Sequence, residues 1–315
     1  MPRSSAALAV ALLIVLLPLS IAFDPTRFEG SSLGVTLGLM APLILGAIAS
    51  TPAILSGGGG IDLSVGPLMG LVNALVVQEV ILRWGVSSPT VIIPLALAVG
   101  IGSGLLNGAL VAILRVQAIV ATLGTYLVYN GLTLWLVPEP GGTVPSWLAA
   151  LAGSYSWVPI LACFAIWILV RSLPFYEQLM AMGGDRRAAY ASGVRVIRVR
   201  IGAYVLAGLF AGIAGLSLTA LLGSTDPSVG PTYTLTAIAA AALGGVSLGG
   251  GRGGIVGASI GAIDIFLIQN AFTYFNASSF ALQVAYGIIL VLAVALNAIV
   301  ARLLHTRRVR RRLLA

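Results

Sequence analysis

The chain has 315 residues, 59% of them hydrophobic and 8% charged, with a formal net charge of +8 and a mean hydropathy of +1.06. That balance excludes an ordinary soluble globular domain and points to an integral membrane protein. All 17 Lys/Arg positions are arginine, and a chain without lysine cannot form a GxxxxGK[ST] phosphate loop, so any nucleotide hydrolysis must take place on another chain.

A bilayer core of about 30 Å takes roughly 20 apolar residues per helix. On that measure the sequence predicts an all-α, polytopic membrane protein of about ten transmembrane helices in one domain, residues 1–315. The predicted spans are 6–22, 33–55, 62–82, 90–114, 118–137, 155–171, 199–222, 234–248, 253–273 and 281–301. The first follows Arg3 and ends near Ser20 and Ala22, the pattern of a secretory signal. An uncleaved helix fits better, because its removal would leave an odd number of spans and turn the arginine-rich loops outward. With both termini cytoplasmic, Arg3, Arg115, Arg171, the five arginines from 186 to 200, Arg252, Arg302 and the tail arginines 307–312 lie inside, and only Arg27 and Arg83 lie outside. This is the positive-inside asymmetry. The basic tail 302–315 then reads as an anchor at the anionic inner leaflet; the lipid bilayer is an expected partner and nucleic acid is not.

Along the chain, the run SGGGGIDLSVG (56–66) interrupts an apolar region, and backbone that leaves the helix at membrane depth is tolerated only inside protein or along a wet cavity. Asp62 there has two roles open to it, capping the next helix or touching solute. GIGSG (100–104) has no strand before it and reads as helix packing rather than a dinucleotide fingerprint. GLLNG (104–108), GLFAGIAG (208–215) and GGIVGASIG (253–261) likewise bring helix backbones together. Cys163 is a small packing residue, with no second cysteine to pair with. The sequence 171–200 is a polar island carrying six arginines and must lie in water. Asp264 puts a costly carboxylate in the ninth span. It has three roles open: pairing with an arginine of a partner chain, touching solute, or remaining neutral. His305 sits at a membrane exit among arginines. One histidine, one cysteine and no carboxylate cluster give no basis for a metal site or a catalytic nucleophile.

Four segments in order, GGIDLSVG (59–66), GLLNGALVAILRVQAIVATLGT (104–125), AMGGDRRAAYASGVRVIRVRIGAYVLAGLFAGIAG (181–215) and ALGGVSLGGGRGGIVGA (242–258), resemble the permease subunit of sugar-type ABC importers, the ribose, xylose and galactose group. The resemblance covers roughly residues 33–300. It implies a non-catalytic subunit of the bacterial cytoplasmic (inner) membrane, holding no cofactor of its own. ATP and magnesium would be bound by a partner ATPase, with a second permease chain, the same or different, and an extracytoplasmic solute-binding protein completing the assembly. It also implies that a coupling segment within 172–198, centred on 181–194, docks on the ATPase. Gly183 and Gly184 would offer a turn and Asp185 an N-cap, with Arg186, Arg187, Ala188, Ala189, Ser192 and Gly193 forming the docking element. The residues alone also allow a solvated loop at the lipid surface. Asp62, Asn107, Thr122, Thr125, Asn130, Asp264, Gln269 and Asn270 are candidates for a translocation path, each equally able to make an interhelical hydrogen bond.

The sequence departs from the family pattern at Gln117 and Ala118, where paired prolines are usual, and at Thr234 and Thr236, where acidic residues are common. The glycine run before Asp62 is also longer. These differences leave the solute open, and with it whether the permease pair is homomeric. The rival class is an ion-coupled secondary transporter or channel, for which Asp62, Asp264 and Glu79 are the only candidate ion-carrying carboxylates at membrane depth.

Overall fold

The computed structural model describes residues 6–276 other than Ser31, together with scattered positions between 278 and 295. Among the described residues the protein is helical and has no strand, only one antiparallel bridge between Gly141 and Thr225. The first half comprises α1 (Ala7–Phe23), α2 (Leu33–Leu55), α3 (Val65–Ala74, continued as a π-helix over Leu75–Arg83), α4 (Pro89–Ala112) and α5 (Ala118–Leu136). A short α6 (Ser146–Ala149) then precedes α7 (Trp157–Ser172), across a bend of 76°. The chain continues through α8 (Pro174–Gly184), α9 (Arg186–Ala191), α10 (Val196–Leu222), α11 (Val229–Leu243) and α12 (Ile255–Tyr274).

Each of the first nine predicted spans has its helix. The tenth, 281–301, is described only at scattered helical positions, and the tail 302–315 lies outside the described residues. The eighth differs most: α11 starts five residues earlier than predicted and ends at Leu243. Gly245, at φ +82, stops it, and Asp226 and Ser228 form the turn that starts it. By length and composition α2, α3 with its extension, α4, α5, α10 and α12 are able to cross a bilayer, and the bent α6–α7 pair makes a further candidate, whereas α1 and α11 are shorter. The protein is therefore a multi-pass membrane protein.

Burial sorts these helices into an inner and an outer set. In α2, α3 and α10, 72% of the apolar window is enclosed by protein, against 28% in α4 and α5. α10 is central, packing on α2, α3 and α4, while α11 and α12 close the opposite flank against α2 and α1 packs on α12. Cys163 is fully buried on α7 within the main core, as its packing role requires. Following the alternation of the helices, Arg115, Arg171, the five arginines from 186 to 200 and Arg252 gather at one end of the bundle, and Arg27 and Arg83 at the other.

α4 and α10 meet without intervening side chains. A Cβ on Gly100 would strike the Gly208 carbonyl, one on Gly104 would lie 2.8 Å from the Val205 Cα, and one on Gly212 would lie 2.6 Å from the Ala96 carbonyl oxygen. With lipid as apolar as leucine, such backbone contact is what holds two membrane helices together. Gly208→Ala should therefore force the pair apart at about 1–3 kcal/mol, measured as a lower thermal midpoint in detergent. Gly102→Ala, on α4 of the same pair but with no atom within 4 Å of the new Cβ, should not lower the midpoint.

Candidate functional site

At the arginine-bearing end, α2 stops and the chain crosses to α3 through residues 56–64. Three successive residues, Gly57, Gly58 and Gly59, take φ between +62 and +72, a left-handed path open to glycine at no steric cost. Asp62 then re-forms the helix: its Oδ1 accepts the Ser64 amide at 2.9 Å and the Ser64 hydroxyl at 2.7 Å. Asn107 of α4 donates from Nδ2 to Ser64 Oγ at 2.9 Å, and Thr125 of α5 donates to Asn107 Oδ1 at 2.8 Å. Thr122 donates to the Ile61 carbonyl at 3.2 Å. Asp62, Asn107, Thr122 and Thr125 are all buried. Four of the expected path residues thus form one network that satisfies a buried turn.

The polar island folds as α8 and α9. Leu179, Met182 and Gly183 bury one face of α8, and Tyr176 packs edge-on against Trp167 of α7, with ring centroids 5.7 Å apart. Gly183 and Gly184 are the last residues of α8 rather than a free turn, and the break falls at Asp185. Asp185 caps α9 as expected, its Oδ1 accepting the amides of Arg187 at 2.9 Å and Ala188 at 3.0 Å. Ala189 points inward, while Arg186, Arg187, Ala188, Ser192 and Gly193 are exposed, as is Tyr190 at 75%. The result is an exposed knob at the arginine-bearing end of the bundle.

Beneath the knob three backbones touch. A Cβ on Gly57 would lie 2.8 Å from the Gly183 Cα, and one on Gly250 would lie 2.6 Å from the Gly57 nitrogen and 2.9 Å from the Gly183 oxygen. The Gly251 amide donates to the Leu55 carbonyl at 3.1 Å. Arg200, 6% exposed at the start of α10, donates from Nη2 to the Gly57 carbonyl at 2.8 Å. The end of α8, the 56–64 turn and the loop after α11 are therefore one packed unit, with no side chain between them to take up a displacement.

At the opposite end the same device recurs. Residues 226–231 read DPSVGP and residues 62–67 read DLSVGP. Asp226 Oδ1 accepts the Ser228 amide at 2.8 Å and the Ser228 hydroxyl at 2.7 Å, reproducing the Asp62 turn. Asn73 of α3, buried and absent from the candidates above, holds this second turn. It donates to the Ser224 carbonyl at 2.9 Å and accepts from the Thr225 hydroxyl at 2.9 Å. The two copies touch where α3 crosses α11: a Cβ on Gly230 would lie 2.8 Å from the Gly66 carbonyl oxygen and from the Gly70 Cα. The repeated D-x-S-V-G-P is the signal in the sequence that would have found Asn73 and the second turn.

The other expected path residues are separated. Asn270 donates to the Ser20 hydroxyl at 2.8 Å and ties α12 to α1. Asp264 is fully buried on α12, with neither oxygen hydrogen-bonded. Asn130 is half-buried on α5 and makes no side-chain hydrogen bond to a described residue. Gln269 lines a cavity of about 250 Å³ between α2, α11 and α12 in the half of the bundle away from the arginines, with Thr232, Tyr233, Thr236 and Phe266. No group of three metal-ligating side chains occurs among the described residues.

Residues 5–296 match the family described as "Branched-chain amino acid transport system / permease component". The chain is 38% identical over 249 residues to the ribose import permease protein of Bacillus subtilis, covering 76% of each chain. It is 32% identical over 297 residues to the ribose import permease protein of Escherichia coli K12, covering 90% of each. The galactose/methyl galactoside import permease protein of Haemophilus influenzae is 29% identical over 311 residues, covering 91% of this chain and 92% of its own. No solved structure matches. A match running through both turns, the knob and the glycine junction makes this chain a member of that permease family.

Proposed function

We propose that this chain is the membrane-spanning subunit of an ATP-driven importer that moves a monosaccharide or related polyol into a bacterial cell. It sits in the cytoplasmic membrane with both termini and the arginine-bearing end inside, in keeping with the positive-inside asymmetry. Its partners are a P-loop ATPase holding ATP and magnesium, a second permease chain, and an extracytoplasmic solute-binding protein. The observation that carries this reading is the α9 knob. It is exposed where a soluble partner can reach it, and backbone contact through Gly183 ties it to both loops at the inner end of the bundle. Force applied to α9 reaches the 56–64 turn without passing through a flexible side chain.

The solute class rests on the named relatives and on the outer cavity. At about 250 Å³ the cavity lies just below the roughly 300–1,000 Å³ usual for drug-sized ligands, a size suited to a small solute. Gln269 and the threonine hydroxyl oxygens offer hydrogen bonds there, and Tyr233 and Phe266 offer aromatic surface for the C–H faces of a sugar ring. Asp62, Asn107, Thr122 and Thr125 hold the inner turn that a solute must pass. Asn130 and Asp264 remain candidates for the path beyond the cavity.

The inverted DxSVGP pair favours a second reading, because inverted repeats and broken helices also build ion-coupled carriers. Transport by vesicles separates the two. Uptake that stops when the ATPase is inactivated and survives an uncoupler supports the importer; the reverse pattern supports the carrier. Charge reversal in Arg186→Glu should leave the protein inserted but weaken association with the ATPase at least about tenfold, a loss of ~1.4 kcal/mol, in a pull-down from native membrane. Gln269→Leu should leave that association intact and lower uptake several-fold in the same vesicles.

A further inference from the structure

A second cavity, of about 360 Å³, lies at the arginine-bearing end between the last turn of α7, the first turn of α8 and the start of α12. Arg171 and Arg252 line it, and neither forms an ion pair or a side-chain hydrogen bond with a described residue. Arg171 lies over the Tyr176 ring at 5.6 Å, and Trp167 forms the deeper wall. The 20-residue helix α12 begins in the same cavity at Gly254, with no side-chain cap and no acidic residue in its first turn. Its free amides and helix dipole add positive field there. Two unpaired guanidinium groups and an uncapped helix start converge on one space with no carboxylate to answer them.

The surroundings identify the anion. Before Arg171 on α7, Leu161 and Ile168 share one stripe of the helix and are each at least 55% exposed, and Val256 of α12, which lines the cavity, is 58% exposed. An apolar track therefore leads from bilayer depth up to a cationic cavity walled by tryptophan and tyrosine, the residues that favour the headgroup level. A soluble phosphate would use the guanidinium groups and leave the track empty. A phospholipid uses both.

We propose that this cavity binds the phosphodiester headgroup of an anionic phospholipid, with an acyl chain laid along α7. Basic pockets between membrane helices at the cytoplasmic side take anionic headgroups in this way, and no residue of α9 or of the outer cavity lines the site. The purified protein is tested in nanodiscs of phosphatidylcholine alone and of phosphatidylcholine mixed with phosphatidylglycerol, with bound lipid read by native mass spectrometry. The wild type should retain phosphatidylglycerol and gain a higher thermal midpoint from it. Arg171→Gln combined with Arg252→Gln should weaken that binding about thirtyfold, the loss expected of two arginines at a membrane surface. Its midpoint in pure phosphatidylcholine should be unchanged. Arg198→Gln, an exposed arginine at the same end that does not line the cavity, serves as the control and should retain wild-type binding. Equal retention of phosphatidylglycerol by the double variant and the wild type would overturn the assignment. So would stabilisation by inorganic phosphate matching that by phosphatidylglycerol, since it would identify a free-anion site instead.

Discussion

Backbone that leaves the helix inside a packed interior must find its hydrogen bonds within the protein, and this constraint orders the rest of the molecule. The 56–64 turn meets it with Asp62, Ser64, Asn107 and Thr125 in series, and with the buried Arg200 guanidinium on the Gly57 carbonyl. The partners outside the turn come from α4, α5 and α10, so one turn fixes the placement of three helices against the α2–α3 connection. Asn73 performs the corresponding service for the turn at 223–228, bonding to the Ser224 carbonyl and the Thr225 hydroxyl. At about 1 kcal/mol net per hydrogen bond the gain from each is small. The cost of leaving buried groups unpaired in a dry interior is what makes the networks specific.

The polar residues expected along a translocation path therefore divide by task. Asn107, Thr122 and Thr125 spend their hydrogen-bonding capacity on the protein, as Asn270 does in joining α12 to α1. Gln269, by contrast, faces a cavity of about 250 Å³ between α2, α11 and α12. A cavity with few polar groups and a wall of aromatic and aliphatic carbon suits brief contact and release.

Much of this was legible in the chain. Apolar runs gave nine helices in the right order, and most of the arginines between them fall together at one end of the bundle. Glycine spacing marked the α4–α10 contact, and Asp185 before a short polar stretch marked the start of α9. The start of α11 was hidden because Val229–Tyr233 holds glycine, proline and threonine, which lowers local hydropathy, while the alanine run beyond extends it toward Gly244. The role of Gly183 was hidden for a different reason: its neighbours, Gly57 and Gly251, are distant in sequence, and no local pattern reports a contact between a helix end and two loops. Asn107 and Gln269 look alike in sequence, and only the packing separates the amide that holds a turn from the one that faces a cavity.

The crossing of α3 and α11 at Gly66 and Gly230 has a consequence for how such a protein can change over generations. The two residues occupy the same place in the two copies of one motif, and each backbone is the other's immediate neighbour. Neither copy can gain a side chain there unless the other yields, so the twin halves are bound to a shared history at this point even as the rest of their sequences drift apart. The exposed surface of α9 stands clear of that contact, whereas the outer cavity, lined by Val229 and Thr232 on either side of Gly230, is built directly against it, so its shape inherits the same constraint.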